Sequence, residues 1–390
     1  MANHTNPQRQ QGTSPVSLSH GERAGVRAAF TLTELLIVIS IIAILAGLAL
    51  SALASATEQA RAQRTRAIVN KLDQLISEKW ESYRTRAVPI RIPAAALRQA
   101  DGSSRPDASV ISARVRLYAL RELQRMELPD RITDVVTSGP ALRPTAISGM
   151  TISSLQRSYY RMAVRATGNI NNWTTTHEGA ECLYLIVSTM RDGDKSAIDF
   201  FSPAEIGDVD EDGMKEILDG WGKPVEFLRW APGFTEQVGT DGVWGNSGDD
   251  DGDGATDNNT EAGWPGSDDV VPLTLQTRNS SKSPDPFDPL RVDPRVCQVG
   301  TTAFFSFPAT SADTSTANDT FLLKPLIFSA GPDKSYDINV GGGVIYTGTT
   351  PPNDPYYAAT PMVGTPMDAD GDGFDRGWAD NITNHYQAAE

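Results

Sequence analysis

Three segments of the chain repeat the pattern Asp-x-Asp-x-Asp-Gly, which is how a calcium-binding loop begins. Alternating carboxylates direct oxygen atoms at one ion, and the Gly permits the sharp turn that closes the loop. The first segment, residues 208–219, ends on an acid at its twelfth position, whereas the other two segments lack one there. The candidate calcium ligands are Asp208, Asp210, Asp212, Glu216 and Asp219 in the first segment, Asp249, Asp251, Asp253 and Asp257 in the second, and Asp368, Asp370, Asp372 and Asp375 in the third.

A competing interpretation of these acidic loops is that they are solvated turns, because Asp and Gly are common turn residues. Three copies in one chain favour calcium over plain turns. Magnesium is the weaker candidate, because it keeps several of its own water ligands. Asp219 also opens the stretch Asp-Gly-Trp-Gly-Lys-Pro, so a ligand role and a turn role compete for this residue.

The residues that commonly carry catalysis form no recognisable constellation in this sequence. The four histidines do not occur in an H-E-x-x-H zinc motif, and there is no G-x-S-x-G nucleophile elbow. The glycine run at 341–343 has no helix signal after it, as a phosphate-binding loop requires. Paired carboxylates are compatible with a glycosidase by residue type alone. We expect that the protein is not an enzyme.

The two cysteines, Cys182 and Cys297, are too few for a disulfide-rich scaffold or a cysteine-based zinc cluster. In an oxidising compartment they could form one bridge with each other. Either could equally be a small buried hydrophobic residue. Both alternatives stay open from the sequence.

Charge is distributed unevenly along the chain. Residues 1–165 contain 22 Lys and Arg against 12 Asp and Glu, whereas residues 166–390 contain 12 against 37. An acidic C-terminal part argues against nucleic acid as a partner, because binding it requires basic side chains that neutralise phosphates. Clustered carboxylates instead favour a divalent cation.

A long apolar run near the N-terminus predicts a membrane-spanning helix. Residues 30–54 carry one charge, that of Glu34, and a helix of this length measures about 37 Å, enough to cross a hydrocarbon core of about 30 Å. A secretory signal peptide is the competing interpretation, with Ala-Ser-Ala at 54–56 as the cleavage site. The run is long for such a signal. Arginines flank it on both sides, so the positive-inside rule alone does not fix its orientation.

The junction between the polar leader and this apolar run, Ala-Phe-Thr-Leu-Thr-Glu-Leu-Leu at 29–36, resembles the cleavage and methylation signature of type IV prepilins and type II secretion pseudopilins. The resemblance implies that a prepilin peptidase cuts after Ala29 and methylates Phe30, and that Glu34 is the fifth mature residue. In this family that glutamate is thought to neutralise the N-terminal ammonium of a neighbouring subunit. Ala29 stands where the family prefers Gly, and Thr33 stands where it usually has an aliphatic residue.

The same helix is expected to continue beyond the membrane to about residue 87. Residues 54–86 contain no Pro or Gly, and apolar side chains recur every three or four positions between Ile68 and Tyr83. Further helices are predicted at 112–128 and 176–190. Strands are predicted at 224–230, 302–307, 321–329 and 343–347. A helix followed by strands indicates an α+β fold with an antiparallel sheet.

Two further stretches resemble major pseudopilins. They are Asp219, Trp221, Gly222 and Pro224 before the first predicted long strand, and Ser-Ala-Gly-Pro-Asp at 329–333. Any Gly-Pro turn before a strand is similar to the first of these. The resemblance implies a pilin-like domain with large acidic loop insertions. The expected organisation is a leader at 1–29, the pilin helix at 30–88, a globular domain at 89–230, an acidic insertion at 231–300, and C-terminal strands with an acidic tail at 301–390.

The expected function is that of a structural subunit of a pilus or pseudopilus. The resemblance implies a single-pass protein of the bacterial inner membrane with a periplasmic C-terminal domain, assembled through its N-terminal helix. The acidic loops add the expectation that calcium stabilises this domain. The implied partners are the prepilin peptidase, other pilin or pseudopilin subunits, the inner-membrane assembly platform and membrane lipid. The alternative is a membrane-anchored, calcium-dependent binding protein that does not polymerise.

Overall fold

The protein combines one long N-terminal apolar helix with further helices and small antiparallel sheets, which confirms the predicted α+β class. The chain divides into two units at the boundary between Ser55 and Ala56. The computed structural model describes residues 31–88, 90–136, 150–232, 285–290, 292–293, 323–338, 340, 364 and 380–385.

The described residues form six α-helices. They are α1 (Leu32–Ser82), α2 (Ala94–Leu97), α3 (Ala108–Glu127), α4 (Ile132–Val136), α5 (Ser154–Thr167) and α6 (Glu178–Thr189). Helix α1 confirms the long helix predicted from the apolar run, and α3 and α6 fall on the two other predicted helices. Helix α5 was not predicted. It begins at the N-cap Ser153, whose hydroxyl accepts a hydrogen bond from the Gln156 N–H, and it ends at Gly168.

The described strands are β1 (Arg191–Asp192), β2 (Lys195–Ser196), β3 (Ile206–Gly207), β4 (Glu216–Ile217), β5 (Glu226–Pro232), β6 (Leu323–Ser329) and β7 (Ile382–Thr383). They pair antiparallel as β1–β2, β3–β4 and β5–β6–β7. Strands β5 and β6 confirm two of the predicted strands. The strands predicted at 302–307 and 343–347 lie outside the described residues.

Helix α1 changes character along its length. From residue 32 to residue 57 every residue is exposed, including all the large apolar side chains. Further along, the predicted apolar stripe is buried in the core with the side chains of α3, α6 and β5. The buried positions of the helix are Thr65, Ile68, Val69, Leu72, Ile76 and Trp80. A period of three to four residues on one face is what docks a helix on a globular core.

A set of buried ion pairs, here called the arginine network, connects α3, α4 and β5. Its members are Arg125, Glu122, Asp130, Asp134 and Arg229. Arg125 binds Glu122 and Asp134, while Arg229 binds Asp130 and Asp134. Burial by itself would raise the pKa of Asp134, but the two guanidinium groups lower it to about 2. The fold supplies its own cations to these buried acids.

Candidate functional site

The first acidic segment forms the connection of a small hairpin. Strands β3 and β4 pair through Ile206 with Ile217 and Gly207 with Glu216, so residues 208–215 span the gap between them. Backbone amides hold two of the acids: Asp208 accepts from the Gly213 N–H at 3.1 Å, and Asp212 accepts from the Met214 N–H at 2.8 Å. The loop therefore has a defined conformation in which alternate acids share one side.

Gly213 is required by this loop for two reasons. Its φ of +100° lies in the region that favours glycine. A Cβ at this position would also lie 2.8 Å from the carbonyl oxygen of Ala166 at the end of α5, closer than real contacts allow. The glycine of the Asp-x-Asp-x-Asp-Gly pattern thus brings the acidic loop directly against a neighbouring helix.

Residues before α6 hold the loop from its other side. The Thr174 N–H donates to Asp212 at 2.7 Å, and the Thr174 hydroxyl donates to Oδ2 of Asp210 at 2.6 Å. The indole N–H of Trp173 donates to Oε2 of Glu181, a residue in the first turn of α6. Helix α6 packs against β4 and β5, which places Glu181 beside the hairpin.

Five carboxylates converge here, and we call them the carboxylate cluster: Glu181, Asp208, Asp210, Asp212 and Glu216. Glu181, Asp210 and Glu216 each offer a carboxylate oxygen within 4.8 Å of those of the other two, and Asp208, Asp210 and Asp212 do the same. Asp210 belongs to both groups and connects them. Groups of this kind are able to hold a metal ion.

One oxygen in each of three of these carboxylates is buried without a hydrogen-bond partner: Glu181 Oε1, Asp210 Oδ1 and Glu216 Oε1. The other oxygen of each is held in place, by Trp173 for Glu181, by Thr174 for Asp210 and by the Val209 N–H for Glu216 at 3.1 Å. Buried polar atoms are nearly always paired, so three unpaired oxygens at one point call for an explanation.

Among the described residues the cluster has no Lys or Arg counter-charge, and its one cationic neighbour is His177, which lowers the pKa of Glu216 when it is protonated. Burial, reinforced by repulsion from Asp212 and Asp210, raises the pKa of Glu181 to about 10. Burial and the acids Asp210 and Asp208 raise the pKa of Glu216 to about 7. Both side chains have 0% exposure. Among the described residues no Lys or Arg forms an ion pair with any member of the cluster.

The structure brings together four of the five residues named in the first acidic segment and adds one that sequence reasoning missed. Asp208, Asp210, Asp212 and Glu216 converge, and the addition is Glu181 from α6. A signal for Glu181 was present, because it is an acid inside the apolar stretch Ala-Glu-Cys-Leu-Tyr-Leu-Ile-Val. The acids of the second and third segments, at 249–257 and 368–375, lie outside the described residues.

Asp219, the fifth predicted ligand, lies outside both convergent groups. Its Oδ1 accepts from the N–H groups of Trp221 and Lys223 at 2.8 and 2.9 Å, and its Oδ2 accepts from the Ser329 hydroxyl at 2.7 Å. Of the two roles that compete for this residue, the structure gives it the turn before β5, which it also ties to the end of β6.

The turn that follows Asp219 docks on helix α1. The Gly220 N–H donates to the Thr65 hydroxyl at 2.8 Å, and the Trp221 indole donates to Glu58. A Cβ on Gly220 would lie 2.4 Å from the carbonyl oxygen of Arg61, so this position needs glycine for close approach. The Asp-Gly-Trp-Gly stretch is thus the connection between the amphipathic part of α1 and the three-stranded sheet.

At the other end of α1, Glu34 forms a capping box with Thr31. The Thr31 N–H and hydroxyl donate to Oε2 of Glu34 at 2.8 and 2.9 Å, and the Glu34 N–H donates to the Thr31 hydroxyl at 3.2 Å. Among the described residues, α1 is the one helix long and apolar enough to cross a membrane. Ala29 and Phe30, the predicted cleavage and methylation residues, lie outside the described residues.

Cys182 is buried on α6, next to the cluster residue Glu181. Burial raises the pKa of its thiol well above the usual value. Its predicted partner, Cys297, lies outside the described residues, so both the bridge and the buried-thiol alternative stay predictions.

No family model, curated protein or solved structure matches this chain. Its function must therefore be argued from two local features, the divided character of helix α1 and the carboxylate cluster.

Proposed function

We propose that this chain is a structural subunit of a type IV pilus or type II secretion pseudopilus, processed by a prepilin peptidase and assembled through helix α1. The observation that carries the proposal is the change of character along that helix. Its N-terminal part is apolar and exposed on all sides, whereas its later part buries one face in a globular core. A pilin helix has two such parts, one for lipid or the filament interior and one for its own domain.

The exposed apolar part needs a covering that no described residue supplies. Soluble proteins rarely leave continuous apolar surfaces of this size uncovered. Membrane lipid covers the helix before assembly in this proposal, and the helices of neighbouring subunits cover it in the filament. The inner-membrane assembly platform transfers the subunit between these two surroundings, with its acidic domain on the periplasmic side.

Glu34 supports assembly rather than simple anchoring. An acid in the first turn of an apolar helix is costly in hydrocarbon, so it is expected to pair or to serve a function. The capping box with Thr31 fixes the side chain near the start of the helix, where the resemblance places the N-methylated residue Phe30 of the mature protein. A carboxylate held there is suited to pair with the N-terminal ammonium of an adjacent subunit.

The test compares Glu34→Gln with Glu78→Gln in the native host. Glu78 is an exposed acid in the later part of the same helix and serves as the matched control. We expect mass spectrometry to detect N-methylated Phe30 in wild type and in both variants. Sheared or pelleted filaments are expected to contain wild type and the Glu78 variant and to lack the Glu34 variant. An intact leader, a start after Ala56, or normal incorporation of the Glu34 variant would overturn the proposal.

The carboxylate cluster favours a second candidate, a membrane-anchored binding protein that depends on calcium and does not polymerise. The same experiment separates the two candidates. Wild-type protein that is extracted by detergent as a single subunit, with no cross-linked ladder through the apolar part of α1, supports this second candidate and contradicts the first.

A further inference from the structure

We propose that the carboxylate cluster is a calcium site built across two elements, with Glu181 of helix α6 completing a set of ligands that the 208–216 loop begins. The site is independent of filament assembly, because it uses no residue of helix α1. It also differs from a linear twelve-residue loop, since Glu181 supplies the closing carboxylate in place of Asp219.

The strongest evidence is the direction of the unpartnered oxygens. Glu181 and Glu216 have no exposed surface, yet each keeps one oxygen without a hydrogen-bond partner, and both residues belong to the group that includes Asp210. Each side chain has a protein donor at one oxygen only, so protonation or a cation is needed to compensate the other buried oxygen. Three such oxygens at one point have the arrangement of ligands around an ion.

The size of the group fits calcium. Calcium–oxygen distances are about 2.3–2.6 Å, so two ligands on opposite sides of one ion are about 4.8 Å apart. The ligand oxygens in each convergent group lie within 4.8 Å of one another. An ion bound between them therefore reaches every oxygen without a large movement of the backbone.

The ligand types select the class of cation. All five side chains offer hard carboxylate oxygens, and no histidine or cysteine belongs to either convergent group among the described residues. Zinc and copper sites generally include nitrogen or sulfur ligands. Magnesium requires a tight octahedron and keeps several waters, which suits an exposed site better than one walled by buried carboxylates. Calcium accepts six to eight oxygens in flexible geometry and is the best match.

The hydrogen bonds around the cluster orient it for binding. Trp173, Thr174 and the Val209 amide each hold one oxygen of a ligand and leave the other oxygen available. Partners of this kind fix the ligands before the ion arrives. A bound ion would connect the β3–β4 hairpin to α6, and α6 packs directly on β5. Calcium is thus expected to stabilise the globular unit.

The experiment is calorimetric titration of calcium into the full-length chain in non-ionic detergent after treatment with a chelator. The variants are Glu181→Gln, Glu216→Gln and the matched control Glu211→Gln. Glu211 lies in the same loop, is exposed and belongs to neither convergent group. We expect the carboxylate cluster to bind one calcium ion with submillimolar to millimolar affinity. Extracellular calcium modules bind in this range, about 10⁻⁴–10⁻³ M.

Loss of a direct ligand is expected to weaken calcium binding at least about tenfold in the Glu181 and Glu216 variants, while the Glu211 variant stays within about twofold of wild type. Asp219→Asn distinguishes the cross-element site from a linear loop. The calcium affinity of this variant is also expected to change little, provided that it keeps the circular dichroism spectrum of wild type. Wild-type protein that binds no calcium at 10 mM, magnesium that binds as tightly as calcium, or a Glu181 variant with wild-type affinity would each overturn the proposal.

Terbium luminescence provides a second measurement of binding, which does not depend on the heat that calorimetry records. Trp173 donates a hydrogen bond to Glu181, so its indole lies beside the proposed ion and should sensitise terbium emission. We expect the emission to rise with terbium and to fall when calcium displaces it. Emission that persists undiminished in both Trp173→Phe and Glu181→Gln would place the ion elsewhere and contradict the proposal.

Discussion

The arginine network and the carboxylate cluster both bury acids, but among the described residues only the network pairs its acids with arginines, although burial still raises the pKa of Asp130 there. In the network, Glu122, Asp130 and Asp134 contact the guanidinium groups of Arg125 and Arg229 at 2.7–3.2 Å. In the cluster, no Lys or Arg side chain among the described residues reaches the acids. The pKa of Asp134 is lowered to about 2, whereas that of Glu181 is raised to about 10.

The difference teaches where the compensating charge comes from. A buried acid must be paired, neutralised by a proton or bound to a metal. The network carries its cations in the sequence, so it is complete once the chain folds and has a structural role. The cluster lacks that charge, which suggests that its partner is taken from solution. A regulatory or stabilising ion is bound at sites of the second kind.

The largest effect is expected from breaking the network with Arg229→Met. This change removes the guanidinium group that pairs with both Asp130 and Asp134, and breaking a buried pair in this way typically costs about 3–5 kcal/mol. Arg84→Met is the control, because it removes an exposed pair with Glu81 worth about 0–1 kcal/mol. Denaturant unfolding of the full-length chain in detergent measures both. The comparison fails if the two variants lose equal stability, or if calcium stabilises the Arg229 variant much more than it stabilises wild type.

The next largest effect is expected from supplying the cluster with its cation. Calcium at a hundredfold excess over the dissociation constant stabilises a protein that binds only when folded by about 2.7 kcal/mol. The melting temperature of wild type should rise in calcium and return to its starting value in chelator. The Glu181→Gln protein, whose affinity is expected to be about tenfold lower, should gain only about 1.4 kcal/mol at the same calcium concentration. A melting temperature that magnesium raises equally would show that the cluster responds to charge alone.

Much of the fold follows from local sequence patterns. The apolar run and the three-to-four-residue spacing predicted α1 and its buried face, and runs of apolar residues predicted β5 and β6. Strands such as β1 and β3 are two residues long, too short for any alternation to identify them. Helix α5 also has local signals, the N-cap Ser153, the terminal Gly168 and the helical spacing of Leu155, Tyr159, Met162 and Ala163, so it too was predictable from the sequence.

The candidate site likewise contains residues that a local sequence pattern predicts and one residue that it does not. Asp208, Asp210 and Asp212 lie in one short pattern, so their convergence was predictable from spacing. Glu181 is separated from the loop along the chain and meets it only because α6 packs on β4, which no local pattern encodes. The role of Asp219 was ambiguous in sequence because two motifs overlap there. The hydrogen bond from Ser329, a distant residue, favours the turn.

The pH dependence of the calcium-free protein sharpens the comparison further. Glu181 and Glu216 have folded-state pKa values raised from 4.5 to about 10 and about 7. Their stabilising contribution is fully present below pH 4.5 and is lost as the pH rises through those raised values. In chelator, the melting temperature should therefore fall between pH 5 and pH 9.

The Glu181→Gln variant separates the contribution of Glu181 to the pH dependence from that of the other titrating groups. The hydrogen bond between His177 and Glu226 raises the pKa of His177. The stabilising contribution of His177 is therefore also lost as the pH rises, and the pH dependence of wild type alone does not identify Glu181 and Glu216 as the cause. Glu181→Gln replaces an acid that must take up a proton on folding by a side chain that is neutral at every pH. It should be more stable than wild type at pH 8 in chelator by roughly 1–3 kcal/mol, and about equal at pH 5. Equal stability at both pH values would contradict the assignment.

The smallest effect is expected from the hydrogen bond that orients Asp210. Thr174→Val removes the hydroxyl that donates to Oδ2 of Asp210 at 2.6 Å and keeps the shape of the side chain. Loss of a residue that hydrogen-bonds to a metal ligand typically weakens metal binding 10–100-fold. Thr174 is exposed, so we expect its loss to weaken calcium binding by about tenfold or less. Thr175→Val is the neighbouring control, since Thr175 is also exposed and belongs to neither convergent group.

Calorimetric titration should show weaker calcium binding for the Thr174 variant and an unchanged affinity for the Thr175 variant. Because neither position belongs to the arginine network, both variants should unfold like wild type in chelator. If instead the two variants bind calcium equally well, Asp210 needs no such positioning, and the ion is held by Glu181, Glu216 and the remaining loop acids alone.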